Sequence, residues 1–308
     1  MSRNILVIGG TRFIGRLLVQ RLLRAGHRVT IATRGYAPDP FGDRIQRIRA
    51  DRRNELAMRA VAKAGPFDIV YDQMCYSPLD AAIAVRTFAG QVGRYVMTST
   101  VDAYRVLGFD RPGLLTEDAL GVEAQAIDAN YPWHDPRRAT ECYVSGKVQA
   151  EAYLVRDGSL PLVTPRLGHV LGGPEDFTGR LAHYVELARA GATLHYANDR
   201  AAVSFMTGHG AADFLFWTGM QDFMGPVNEA CDGALSASML YRRVGEVLET
   251  PVKTRRAASP VAPGRLSPFD LPGPMVLDTS RAKALGYAFG HTDEWLDHAI
   301  RQHDLAFV

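Results

Sequence analysis

Cysteine is scarce: Cys75, Cys142 and Cys231 stand far apart in a chain of 308 residues, and none forms a CxxC pair. That spacing excludes a disulfide framework and fits a reducing compartment. Metal-binding patterns are missing as well. The nine histidines form neither an HExxH nor a Cys/His cluster with ligand spacing, so no bound metal is expected. No apolar run is long enough to cross a bilayer as a helix, so no membrane partner is expected. The opening Met1-Ser2-Arg3-Asn4 runs straight into apolar residues, without the charged, apolar and small-residue regions of a signal peptide, and a cytoplasmic location is the expectation. Neither sign of charge dominates. With 35 Lys+Arg against 33 Asp+Glu the net charge is +2 and no block of five or more like charges occurs, so nucleic acid is not an expected partner.

Lysine is the scarcest charged residue, present only as Lys63, Lys147, Lys253 and Lys283. Where this chain needs a solvated cation it uses arginine, so the lysine four places after Tyr143 in YVSGK carries information. Twelve tyrosines and four lysines at random would give such a spacing roughly 0.16 times. Residues four apart on a helix share a face. A phenol has an ordinary pKa of about 10, too high for a base at neutral pH, and a positive charge within about 4–6 Å pulls it down. Tyr143 and Lys147 therefore read as a proton-transfer pair.

The apolar fraction of 47% and charged fraction of 22% suit a globular chain long enough for two lobes. Asn4 to Ile8 is a continuous apolar run that fits a strand buried on both faces. It feeds Gly9-Gly10-Thr11-Arg12-Phe13-Ile14-Gly15 and then a helical spacing of Leu17, Leu18 and Leu22. Strand, glycine turn and helix in this order let the backbone approach a pyrophosphate at a helix N-terminus. Further strands are expected over 27–33, 44–50, 67–71, 94–100 and 160–166, and helices over 54–63, 77–91 and 138–156. That alternation predicts a parallel sheet with helices on both faces. After Pro174 the rhythm weakens, with helices expected over 179–190 and 236–248. Residues 201–206 are expected to return to the sheet. Pro260, Pro263, Pro268, Pro272 and Pro274 mark a stretch too rich in proline for helix, readable as a lid or a stiff linker.

The GGTRFIG turn, the TST strand end at 98–100 and YVSGK together resemble the extended short-chain dehydrogenase/reductases, which include nucleotide-sugar epimerases, dehydratases and ketoreductases. The resemblance runs along nearly the whole chain. It implies an α/β fold: a Rossmann-type doubly wound parallel sheet over residues 1–170 with a return segment near 201–230, and a smaller C-terminal substrate lobe over 171–308. Gly9 and Gly15 match the family's turn, whereas Arg12 stands where its middle glycine is usual. By this likeness Gly9, Thr11, Arg12, Phe13, Ile14 and Gly15 bind cofactor, Asp51 and Arg52 lie by the adenine, and Gln73 to Tyr76 pass under the cofactor. An acid that would grip the adenosine ribose is replaced by Thr33, followed by Arg34. Arginine grips phosphate with a planar fork, so NADP is the expected cofactor and NAD the alternative.

The likeness also assigns Tyr143 as acid/base, Lys147 as its partner and ribose ligand, and Thr100 as the hydroxyl that orients the reacting oxygen. Dehydratases of the group carry an Asp-Glu pair after that threonine; Val101 and Asp102 stand there, which disfavours elimination of water. Asp102, His169 and Arg200 are further candidates for substrate contact. The expected reaction is 4-keto-sugar reduction or C4 epimerisation of a nucleotide-linked sugar. Alternatives are reduction of another small ketone, or a non-catalytic RNA-binding protein on the same fold, since relatives with this form of the turn include RNA binders. A homodimer is compatible with the sequence.

Overall fold

The computed structural model describes residues 1–257 and 267–305. The chain begins with β1 (Asn4–Ile8), α1 (Phe13–Arg24), β2 (Arg28–Thr33), β3 (Gln46–Arg49), α2 (Glu55–Lys63) and β4 (Phe67–Asp72). It continues through α3 (Pro78–Phe88), β5 (Val92–Met97), β6 (Ser99–Thr100), α4 (Ala139–Asp157), β7 (Leu162–Leu167), β8 (His169–Leu171) and α5 (Arg180–Arg189). The remaining elements are β9 (Thr193–Tyr196), β10 (Phe205–Thr207), α6 (Gly208–Met220), β11 (Gly225–Glu229), α7 (Ala237–Val247), β12 (Lys253–Arg256), α8 (Ser280–Ala284) and α9 (Leu296–Leu305). Short 3-10 turns fill much of 101–138.

The chain divides into two compact units. The first comprises Met1–Val106, Glu117–Leu167 and His209–Val227; the second comprises Leu107–Thr116, Gly168–Gly208 and the described residues from Asn228 onward. In the first, the strands run in the order β11-β7-β5-β4-β1-β2-β3, with β6 also paired to β7. β1 pairs in parallel with both β2 and β4, so the winding reverses beside it, at the crevice where open α/β sheets bind ligands. Alternate residues of each strand feed opposite faces. Leu6, Ile8 and Val70 pack with Met58 and Val61 of α2, Phe88 of α3 and Leu154 of α4. Ile5, Val7 and Ile31 pack with Leu18 and Leu22 of α1 and Leu215 of α6. The result is the doubly wound Rossmann-type sheet.

Local chemistry sets the helix starts. The Asn54 side chain accepts from Ala57 N at 3.0 Å, and Ser77 accepts from Asp80 N at 3.2 Å ahead of Pro78, a cap followed by proline at its preferred place. Gly158, with φ of 68°, ends α4.

One expectation fails. Residues 201–206 do not join the central sheet; β10 pairs instead with β8, Met206 opposite Val170, in a separate two-stranded ladder. Both sides of β7 are already taken, by β5 and β11, and the segment pairs instead with β8, which follows β7 after Gly168 and lies with this segment in the second unit. The chain re-enters the first unit with α6 and the start of β11. Thr98 also interrupts the strand expected over 94–100, giving β5 and the short β6.

The second unit holds α5, α7 and α9 packed on one another and the parallel β9–β12 pair. Its centre is aromatic. Phe269 lies 4.9 Å from Phe205 and 5.1 Å from His169 between ring centroids. Pro260 and Pro263 lie outside the described residues, but the flanking part of that stretch is packed: Phe269 and Leu271 are buried, and Asn198 Nδ2 donates to Pro272 O at 2.7 Å.

Candidate active site

The turn after β1 is shaped for a ligand's close approach. Gly9 has φ of 93°, and a Cβ on Gly15 would lie 2.2 Å from Gly9 O, so only glycine lets α1 pack this tightly on the strand. Phe13 opens α1 with φ of 38°, a left-handed conformation that costs a bulky residue about 1–3 kcal/mol and typically marks a functional loop. Arg12 at the N-cap makes no capping hydrogen bond, and no acid stands in the first turn. A cation here opposes the helix dipole unless an anion is bound. Gln73 and Met74 lie over Gly9, and Gln73 Nε2 is buried with no hydrogen-bond partner. With Thr11 and Ile14 in the same turn, these groups fit the pyrophosphate of a dinucleotide.

At the ends of β2 and β3, no carboxylate follows the strand. Thr33 Oγ1 accepts from Gly35 N at 3.2 Å, while Arg34 is exposed, its guanidinium 5.3 Å from the Tyr36 ring. Asp51 is exposed and accepts from Arg53 N at 2.9 Å. Arg52 differs. It is buried, with Nη2 donating to Asp72 Oδ2 at 2.6 Å, and that carboxylate also accepts from Tyr95 OH at 2.6 Å. Burial alone would lower the Arg52 pKa, but the Asp72 charge prevails and raises it. Among the described residues its Nε and Nη1 have no hydrogen-bond partner, leaving donors for a ligand.

Tyr143 and Lys147 stand one turn apart on α4. Lys147 is 2% exposed; its Nζ donates to Thr98 O at 2.7 Å and sits 4.2 Å from the centroid of the Tyr76 ring. The Tyr143 ring lies 5.9 Å from that same ring. One aromatic ring thus neighbours both members of the pair. Burial lowers the Lys147 pKa, opposed by Cys75, Asp72, Asp80 and Glu151. Burial pushes the Tyr76 phenol up, so it stays neutral. Thr100 is buried on β6, where Oγ1 accepts from Asp102 N at 3.2 Å, and Asp102 lies 3.6 Å from Arg105.

The floor of this arrangement is a buried ion pair. Arg166 on β7 donates twice to Glu151 on α4, with Nη2 at 2.7 Å, and also to Tyr104 OH and Glu117 O; Ser99 donates to the same carboxylate. Sequence reading missed this network, the Arg52–Asp72 pair, and the role of Gly146. A lone glycine within a helical run was the available signal, since such residues have a packing reason. A Cβ on Gly146 would lie 2.0 Å from Tyr76 O.

His169 and Arg200 belong to the second unit. His169 is buried among Phe205 and Phe269, with Arg180 Nη1 3.4 Å from its Nδ1. Arg200 is exposed in a turn, its backbone N donating to Asn198 Oδ1 at 3.0 Å. Among the described residues no group of three His, Cys, Asp or Glu is placed to hold a metal, and no helix is long and apolar enough to cross a membrane.

A parallel sheet of this winding, with a glycine turn at its reversal point and a Tyr-Lys pair on a neighbouring helix, defines a dinucleotide-dependent oxidoreductase fold. The profile described as NAD dependent epimerase/dehydratase family matches residues 5–217, and the chain belongs to that family of NAD-dependent enzymes. It is 30% identical over 202 residues to 2'-dehydrokanamycin reductase of Streptomyces kanamyceticus, covering 65% of this chain and 53% of that protein. It is 35% identical over 84 residues to the chloroplast stem-loop binding protein of 41 kDa b of Arabidopsis thaliana, covering 23% and 22% respectively. The chain thus spans about half the length, or less, of these curated relatives. In fold it is similar to Thermus thermophilus UDP-glucose 4-epimerase in complex with NAD, at 19% identity and a TM-score of 0.72 over 98% of this chain and 99% of that one.

Proposed function

We propose that this protein transfers hydride between a nicotinamide cofactor and a ketone or hydroxyl carbon of a sugar, with Tyr143 exchanging the proton. The observation that carries the reading is the buried Lys147 ammonium, held at 2.7 Å by Thr98 O and sharing the Tyr76 ring with Tyr143. A fixed positive charge beside a phenol makes it a usable acid/base near neutral pH. The GGTRFIG turn, Gln73, Arg52 and Lys147 hold the cofactor, which supplies or accepts the hydride. In reduction, the carbonyl π pair takes the Tyr143 proton as the carbon gains hydride, and the phenolate regains a proton from solvent. In oxidation, Tyr143 phenolate removes the hydroxyl proton. Thr100 orients the reacting oxygen.

The substrate class is a nucleotide-linked sugar, acted on by 4-keto reduction or C4 epimerisation, with His169 and Arg200 as contacts in the second unit. Reduction of another small ketone is favoured by one observation, the identity to a curated relative named for reducing 2'-dehydrokanamycin. An RNA-binding role without catalysis draws on the shorter match to a stem-loop binding protein. Such binding would weaken steeply with salt, and it leaves the buried Tyr-Lys arrangement without a use. Arg12 and Arg34, with no acid after β2, favour NADP over NAD. Three free thiols suit a reducing, cytoplasmic setting.

The test is deuteride transfer from deuterated NADPH or NADH to a panel of nucleotide-linked and free keto sugars, read by mass spectrometry. Wild type labels at least one panel member, and Tyr143→Phe slows labelling about 10²–10⁴-fold while still binding cofactor. Labelling by Tyr143→Phe at the wild-type rate, or salt-sensitive RNA binding with no labelling by wild type, contradicts the reading.

A further inference from the structure

We infer that Tyr76 is a positioning residue for the proton-transfer pair, its ring holding the Lys147 ammonium from one side and packing beside Tyr143. This rests on the Tyr143/Lys147 reading above. An ammonium that is 2% exposed has lost its water and needs substitutes. Thr98 O takes one N–H at 2.7 Å, and the Tyr76 ring, 4.2 Å away, offers its negative face to the charge. That leaves a donor direction for the cofactor ribose.

The ring is fixed by its own backbone. Tyr76 N donates to Asp80 Oδ2 at 3.0 Å, Asp80 N donates to Ser77 Oγ at 3.2 Å, and Met74 N donates to Asp72 Oδ1 at 2.9 Å. Gly146 lets Tyr76 O press against α4, and Trp133 packs 3.5 Å from the same spot. The Tyr76 hydroxyl lies 4.0 Å from Met74 Sδ. It is the ring that holds the Lys147 ammonium.

The charged and titratable groups around Lys147 come from several elements. Asp72 faces it from the end of β4, Cys75 and Tyr76 from the turn that follows, Asp80 from α3, and Glu151 from its own helix. Asp72 is tied to Arg52 and Glu151 to Arg166. Asp72 and Glu151 already have cationic partners, and Asp80 accepts from Tyr76 N, which ties the carboxylate nearest in sequence to the placement of the ring over Lys147.

The experiment compares Tyr76→Phe, Tyr76→Leu and Tyr76→Met with wild type and Tyr143→Phe. Two readouts are taken: the pH profile of single-turnover alcohol oxidation, and the Lys147 titration by ¹⁵N-lysine NMR in cofactor-free protein, where only four lysines contribute. Tyr76→Phe should keep both. In Tyr76→Leu the Lys147 titration and the alkaline limb should move down, and the acidic limb up, each by about half to one pH unit. Tyr76→Met fills similar space without a π face and should repeat the Lys147 shift, which keeps the test decisive should Tyr76→Leu fail to fold. Unchanged titration and limbs in the Leu or Met variant overturn the proposal, as does a Tyr76→Phe variant as damaged as Tyr76→Leu. An active Tyr143→Phe would instead overturn the proton-transfer reading, while the NMR titration still judges the ring contact.

Discussion

At the scale of residues, charge and shape combine at the two places where the proposed cofactor would carry phosphate. Arg34 is exposed where an acid would select the ribose of NAD, and Thr33 spends its hydroxyl on the Gly35 turn. A 2′-phosphate would meet a free guanidinium there, and a charge-assisted hydrogen bond is worth about 1.5–3 kcal/mol, on the order of a tenfold to hundredfold preference. Calorimetric titration should show NADPH binding tighter than NADH by that factor, with the difference lost in Arg34→Ala. Equal affinities in wild type, or a preference that survives Arg34→Ala, would count against Arg34 as the selector. Arg12 and Phe13 carry the same logic. A cation at an uncapped helix start and a bulky residue at positive φ are both unfavourable in isolation, and a bound pyrophosphate accounts for them together.

At the scale of elements, α4 joins the chemistry to the core. Its N-terminal half carries Tyr143 and Lys147, and one further turn along it Glu151 is fully buried against Arg166 of β7. Removing one member of a buried pair strands the other charge, so Glu151→Ala should lower stability by about 3–5 kcal/mol in urea unfolding. A loss under about 1 kcal/mol would mean that water or Tyr104 already satisfies Arg166. Much at this scale was legible in the sequence. The apolar run of β1, the Asn54 and Ser77 caps and the i,i+4 spacing of Tyr143 and Lys147 are local patterns with local causes. What the sequence withheld was long-range. Arg52 meets Asp72 across 20 positions and Glu151 meets Arg166 across 15, pairings that depend on strand order and not on spacing. Residues 201–206 had the composition of a sheet strand, but composition cannot say which strand it pairs with, here β8 and not a strand of the central sheet. Phe13 was named with the turn, but its left-handed backbone was not legible, because that conformation is imposed by the turn and has no signature in the residue's identity.

At the scale of the whole molecule, the alternation of strands and helices read from the sequence corresponds to the doubly wound sheet, because a parallel sheet buried on both faces demands continuous apolar strands. The second unit was less legible. Its small ladders and aromatic centre, with Phe269 between His169 and Tyr184, follow no repeating period. Membership of an NAD-dependent family supports the proposed dinucleotide chemistry, and the choice of substrate belongs to residues outside the shared fold. The central claim is narrower and can be tested alone: Tyr143 and Lys147 are one device. Single-turnover rates and cofactor affinities of Tyr143→Phe, Lys147→Met and the double variant measure it directly. If the lysine works through the tyrosine, the two losses fail to add, and the double variant turns over about as slowly as the worse single one, with cofactor affinity lowered wherever Lys147 is absent. Losses that multiply, or a Lys147→Met variant with wild-type turnover, would show that the two residues act apart and contradict the account.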